Sequence, residues 1–91
     1  MEKPFKWDKE KNQKLILERG ISFEVITAYL ENGDIYQIIP GHSRYEHQKQ
    51  FVVIVNRYAY VVPYVEDETK VFLKTIIPSR KWTRHYLTGG E

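Results

Sequence analysis

Read for hydrophobic and polar positions, the chain divides into a helical front and a strand-forming back. After Phe5 and Trp7 the residues are almost all polar until the apolar run Leu15, Ile16, Leu17. Asp8 suits an N-cap, because its carboxylate can accept a backbone N–H of the first turn at the positive end of a helix. Gly20 suits the left-handed residue that closes one. A helix over Lys9–Arg19 is predicted, with Phe5 and Trp7 anchoring its polar first half from outside. Ser22 is a second N-cap, with Glu24 in the turn that follows. Phe23, Ile26 and Leu30 recur on one helical face, and Asn32-Gly33-Asp34 stops that helix and turns the chain.

From Ile35 the period changes. Residues 35–39 (IYQII) read as a strand closed by Pro40-Gly41, and residues 42–50 show no apolar period and read as a loop. Three β-branched and aromatic runs follow: FVVIV at 51–55, AYVVPYV at 59–65 and VFLKTII at 71–77. Their separators are short enough for hairpins, which predicts antiparallel pairing. Both alternations are apolar, so the sheet is covered on at least part of both faces, one of them by the two helices. Pro63 cannot donate to a ladder and marks a bulge or a locally unpaired position. After Pro78, Ser79 caps a last helix over Arg80–Leu87, which places Arg80 with Arg84, Lys81 with His85 and Trp82 with Tyr86 on shared faces. The predicted class is α+β: two N-terminal helices on a four-stranded antiparallel sheet with a short C-terminal helix, in the order α-α-β-β-β-β-α.

Ninety-one residues make one domain, near the lower size at which a chain buries a self-sufficient core. The absence of cysteine excludes disulfide staples and thiolate metal sites and fits a reducing compartment. No apolar stretch at the start suits a signal peptide, and none approaches the roughly 18 residues of a spanning helix. A cytoplasmic protein with no membrane partner is the expectation. The net charge of +2 is too mild to argue for nucleic acid by itself. Its distribution says more. Arg44, Lys49 and Arg57, with His42 and His47, cluster between residues 42 and 57, and Arg80, Lys81 and Arg84 follow the last strand run.

The stretch FKWDKEKNQKLILERGISFE is similar to the opening of BrnT-type toxins, where F-x-W-D-x-x-K and a later G-[IV]-x-F-E recur at this spacing. The segment YVVPYVEDETKVFLKTIIPSR, with Tyr86 following, resembles that family's V-V-Y-T…I-I-S-A-R…Y ending. The resemblance covers about residues 5 to 86. It implies a single RelE-like domain over 1–91 and a ribonuclease toxin of a type II toxin–antitoxin pair, cutting cellular RNA without a metal or other cofactor. It also implies a small cognate antitoxin, of ribbon-helix-helix type, that covers the sheet and active-site surface and carries the contact with operon DNA. Three departures stand out: Glu18-Arg19 replace the usual Lys-His before the glycine, Pro78-Ser79 replace Ser-Ala, and Thr75 stands where an arginine is common.

RNA cleavage by 2′-OH attack needs a base, a cation for the charge building on phosphorus, and an acid for the leaving oxygen. Arginine suits the second task, because its planar fork grips phosphate oxygens. Arg80 is the first candidate, against its simpler reading as a solvated first-turn arginine. His85 and Lys49 are the candidates for proton transfer. Lys49 with His47 offers the opposite wall of a cleft, or simply a charged loop. Arg57, Lys81, Arg84 and Tyr86, together with His47, are candidate RNA contacts, with Tyr86 stacking on a base; Arg57 also reads as a plain turn residue. His42 and His47 have no matching partner for a metal site, and Trp7 and Asp8 read as anchor and cap. Two other classes stay open: a non-catalytic module that grips RNA or a ribosomal surface, and a partner-binding protein whose basic residues are merely solvated.

Overall fold

The computed structural model describes residues 3–40 and 48–87. Helix α1 spans Lys9–Arg19. Asp8 caps it by accepting the Lys11 N–H at 3.2 Å, and Gly20 ends it with a left-handed φ of 68°. Helix α2, Phe23–Glu31, begins where Ser22 Oγ accepts the Val25 N–H at 3.1 Å. It ends at Asn32 and Gly33, whose φ of 86° turns the chain. One buried polar side chain ties the two helices. Asn12 accepts the Phe23 N–H at 2.7 Å and donates to Glu24 Oε1 at 2.8 Å.

The strands are β1 (Phe5–Lys6), β2 (Gln37–Ile39), β3 (Gln48–Val55), β4 (Tyr58–Glu66), β5 (Val71–Leu73) and β6 (Ile77–Pro78), and α3 covers Arg80–Leu87. The fold is α+β, with three helices and one mixed sheet in the order β1-β5-β4-β3-β2, β6 also pairing with β4. The expected four-stranded antiparallel sheet is therefore corrected in two places. First, Phe5 and Lys6 form a strand parallel to Val71 and Phe72, held by a bond from Val71 N–H to the Pro4 carbonyl at 3.0 Å. Second, the predicted strand over 71–77 is broken. Tyr64 pairs with Leu73, yet Val61 pairs with Ile77, so Val62 and Pro63 face three residues, Lys74 to Ile76.

That extra residue is a β-bulge, and it resets the side-chain alternation. Val71 and Leu73 point into the core, and after the bulge Ile76 does so while Ile77 is exposed. Pro63 sits opposite the bulge. It stays in register with Gln50 on its other side, so the irregularity that its missing N–H demands falls on the neighbouring strand. The Pro63 carbonyl accepts the Lys74 N–H at 2.8 Å. The Arg19 guanidinium reaches from the end of α1 to the Ile76 carbonyl.

The β3–β4 hairpin turns on Asn56 and Arg57, both left-handed at φ 53° and 65°, as a tight two-residue turn between twisted strands requires. One face of the sheet presents Phe51, Val53, Val55, Val62, Tyr64, Leu73 and Ile76 to Leu15, Ile21, Phe23, Ile26 and Leu30 of the helical layer. By strand alternation the other face carries Val52, Ala59, Val61 and Pro63, all buried. That second face is where α3 lies.

Candidate nucleic-acid interface

The chain leaves β6 at Pro78 and is turned onto the second face by Ser79. Its N–H donates to the Ala59 carbonyl at 2.9 Å and its hydroxyl caps α3 by accepting the Trp82 N–H at 3.2 Å. One turn on, the Thr83 hydroxyl accepts the Ala59 N–H at 2.8 Å and donates to the Ser79 carbonyl at 2.7 Å. At the far end the Tyr86 hydroxyl donates to Gln37 Oε1 at 2.7 Å and its ring meets Tyr36 edge-on at 5.1 Å. The helix thus runs across the sheet from β6 to β2.

Trp82, Thr83 and Tyr86 are the half-buried residues of this helix. At about 100° per residue they mark the underside, and Arg80, Arg84, Lys81 and His85 fall in order along about 140° of the opposite side. All four are exposed. The aromatic members form a ladder: Trp82 and Tyr86 stack at 5.8 Å, and His85 meets both edge-on at 5.3 Å and 4.7 Å. The Lys81 ammonium lies 5.2 Å from the Trp82 ring. Three cationic side chains and an imidazole are thereby held on one surface by a helix that is itself bonded to β4 and β2.

The other candidates fall elsewhere. Arg57 is exposed at the hairpin tip, just before the Ala59 to which α3 is tied. Lys49 alternates with Phe51 and Val53, so it belongs to the face covered by α1 and α2, across the sheet from α3. It is not brought together with Arg80 and His85. His47 and His42 lie outside the described residues.

The residues of β3 that do share α3's face are Gln48 and Gln50. Phe72 and Lys74 share it too, with the Lys74 ammonium 5.9 Å from the Phe72 ring. These four went unremarked in the sequence, although counting by twos from Val52 assigns Gln50 and Gln48 to that face.

On the helical face, burial and then the Glu66 carboxylate push the Tyr64 hydroxyl up from its ordinary value. An apolar groove of about 260 Å³ opens there between Phe5, Leu30, Ile38 and Tyr64. A larger cleft of about 420 Å³ lies between the start of α1 and the start of α2. Among the described residues, no group of three or more His, Cys, Asp or Glu side chains could hold a metal ion, and no helix is long and apolar enough to cross a membrane. No protein-family model, curated protein or solved structure matches the chain.

Proposed function

We propose that this protein is a BrnT-like toxin, a variant of the RelE-like design, whose α3 surface grips single-stranded RNA and cleaves it. The observation that carries the reading is the cationic arc Arg80, Lys81, Arg84 and His85 on a helix whose underside is fastened to the sheet. A helix fastened to the sheet sets the backbone from which each guanidinium reaches a phosphate, and a positioned cation is what electrostatic stabilisation of a phosphorane uses.

In this reading Arg80 and Arg84 hold the non-bridging phosphate oxygens. Neutral His85 accepts the proton of the 2′-hydroxyl, the 2′ oxygen bonds to phosphorus, and the bond to the 5′ oxygen breaks. The Lys81 ammonium, the other proton carrier on that side of the helix, protonates the leaving oxygen. The products are a 2′,3′-cyclic phosphate and a 5′-hydroxyl. Gln48, Gln50 and Phe72, on the same face of the sheet, receive the bases. A cognate ribbon-helix-helix antitoxin neutralises the protein by covering α3, and touches operon DNA on its behalf.

One observation favours a second reading. Lys49 lies across the sheet from α3, so no base and acid face each other across a cleft, and a non-catalytic RNA- or ribosome-binding module needs no such pair. Incubation of the purified protein with an end-labelled single-stranded RNA separates the two. The toxin reading predicts salt-sensitive binding with 2′,3′-cyclic-phosphate fragments that disappear in Arg80→Ala and His85→Ala. Binding with intact RNA selects the second reading, and no binding at low salt removes both.

A further inference from the structure

The cleft of about 420 Å³ at the α1–α2 junction is lined by Phe5, Lys6, Trp7, Lys9, Asn12, Gln13 and Glu24. It lies in the helical layer, across the sheet from α3, and the reading above assigns it nothing. Its volume falls in the range of small-molecule sites. The segment along its edge, Phe5-Lys6-Trp7 with Lys9, is more than an anchor, because it brings an indole and two ammoniums to the opening of the α1–α2 junction.

We propose that this cleft is a binding site for a guanine nucleotide. The Glu24 carboxylate offers two acceptor oxygens, of which Oε1 takes one bond from Asn12. The Asn12 amide nitrogen, held in place by the bond from Phe23 N–H to its carbonyl oxygen, carries a second hydrogen. Acceptors beside a fixed donor complement the Watson–Crick edge of guanine, whose N1–H and N2–H₂ donate and whose O6 accepts. Adenine offers one exocyclic donor there beside an acceptor ring nitrogen, which a carboxylate repels. The bond from Asn12 also keeps Glu24 ionised, its carboxyl held below the ordinary value.

The remaining lining residues suit the rest of such a ligand. Trp7 stacks on Phe23 at 5.6 Å and 21°, which fixes the plane of the indole against which a base can lie. Lys6 and Lys9 are exposed at the mouth, and two ammoniums against one carboxylate leave the cleft positive, as a phosphate requires. The shared chemistry is guanine plus phosphate, whether as a free nucleotide or as the terminal guanosine of an RNA.

The test uses the full chain carrying Trp82→Phe, which leaves Trp7 as the single indole. Guanosine 5′-monophosphate, adenosine 5′-monophosphate and a short RNA with a 5′-terminal guanosine phosphate are titrated against Trp7 fluorescence. Saturable quenching by the guanine nucleotide, at least about tenfold tighter than by the adenine one, is expected. Glu24→Gln, which retains an oxygen for Asn12, is expected to lose about ten- to a hundredfold in affinity, the worth of a charge-assisted pair of bonds. Lys9→Ala, on an exposed position, is expected to weaken binding and reduce its salt dependence without changing base preference. Quenching by the RNA as well as by the free nucleotide identifies an RNA end as a source; quenching by the free nucleotide alone identifies a soluble ligand. Equal affinity for the two bases, no saturation at millimolar nucleotide, or unchanged affinity in a folded Glu24→Gln protein overturns the assignment. None of these outcomes depends on Arg80 or on RNA cleavage.

Discussion

The Thr83 hydroxyl accepts a hydrogen bond from the Ala59 N–H at 2.8 Å, so a single side-chain oxygen fastens α3 to the central strand β4. Ala59 is fully buried, and its N–H has this hydroxyl as the partner that water cannot replace. Thr83→Val keeps the shape and removes the acceptor. It is expected to cost about 1–3 kcal/mol in urea unfolding, the penalty of a buried donor left unpaired. Thr83→Ser retains the hydroxyl and is expected to recover most of that stability. A Thr83→Val protein as stable as the wild type would show that α3 is held mainly by its rings.

Asn12 does for the helical layer what Thr83 does for α3. Asn12→Ala leaves the Phe23 N–H without its side-chain acceptor and Glu24 without its donor, and a loss of about 1–3 kcal/mol is expected near neutral pH. The pH dependence has a definite sign. Glu24 is held below its ordinary value of 4.5, chiefly by the Asn12 bond, so the unfolded chain binds more protons than the folded one in that range. The Glu24 contribution is therefore present above about 4.5 and is lost as pH falls through the folded value. Wild type and Asn12→Ala, compared by urea unfolding at about pH 7 and about pH 3, should differ less in acid. The Phe23 part of the difference should persist.

The turn after β4 adds to the same acid sensitivity. The Thr69 N–H and the Lys70 ammonium hold the Asp67 carboxyl well below the usual carboxylate range. Asp67→Asn should flatten the fall in thermal midpoint between about pH 5 and about pH 2, where the unfolded carboxyl takes a proton that the folded one resists. An unchanged slope would assign the acid response to other carboxylates.

Arg19 donates to the Ile76 carbonyl at the β-bulge, joining the end of α1 to the residue that re-enters the core after Pro63. Arg19→Ala is expected to destabilise by about 1–3 kcal/mol, since a hydrogen bond from a charged donor exceeds a neutral one. Arg19→Lys should recover only part of this, because a point charge on a flexible stem does not reproduce the planar fork. Thermal unfolding of the three proteins decides it.

The helices were legible in the sequence because their signals are local. Asp8 and Gly20 bound α1, Ser22 and Asn32 bound α2, and Pro78-Ser79 start α3. The strand at Phe5-Lys6 was not, because two residues carry no period and its partner, Val71-Phe72, lies far along the chain. Pro63 announced an irregularity, but only the pairing shows that β4 keeps its register and the extra residue sits between Lys74 and Ile76. The cationic arc of α3 follows from helical spacing once the helix is granted. The separation of Lys49 from it was equally available, since period two puts Lys49 with Phe51. The Asn12–Glu24 pairing that shapes the α1–α2 cleft has no sequence signal, because it depends on how two helices meet.

The surface proposed to act on RNA is α3, and the most direct test joins growth to RNA integrity. Wild type and Arg80→Ala are induced in a bacterial host, with folding of each checked on the purified protein. Growth arrest with fragmented RNA in the wild type, and neither in a folded Arg80→Ala, is the predicted result. Normal growth with soluble, folded wild-type protein, or unaltered arrest and fragmentation in Arg80→Ala, would contradict it.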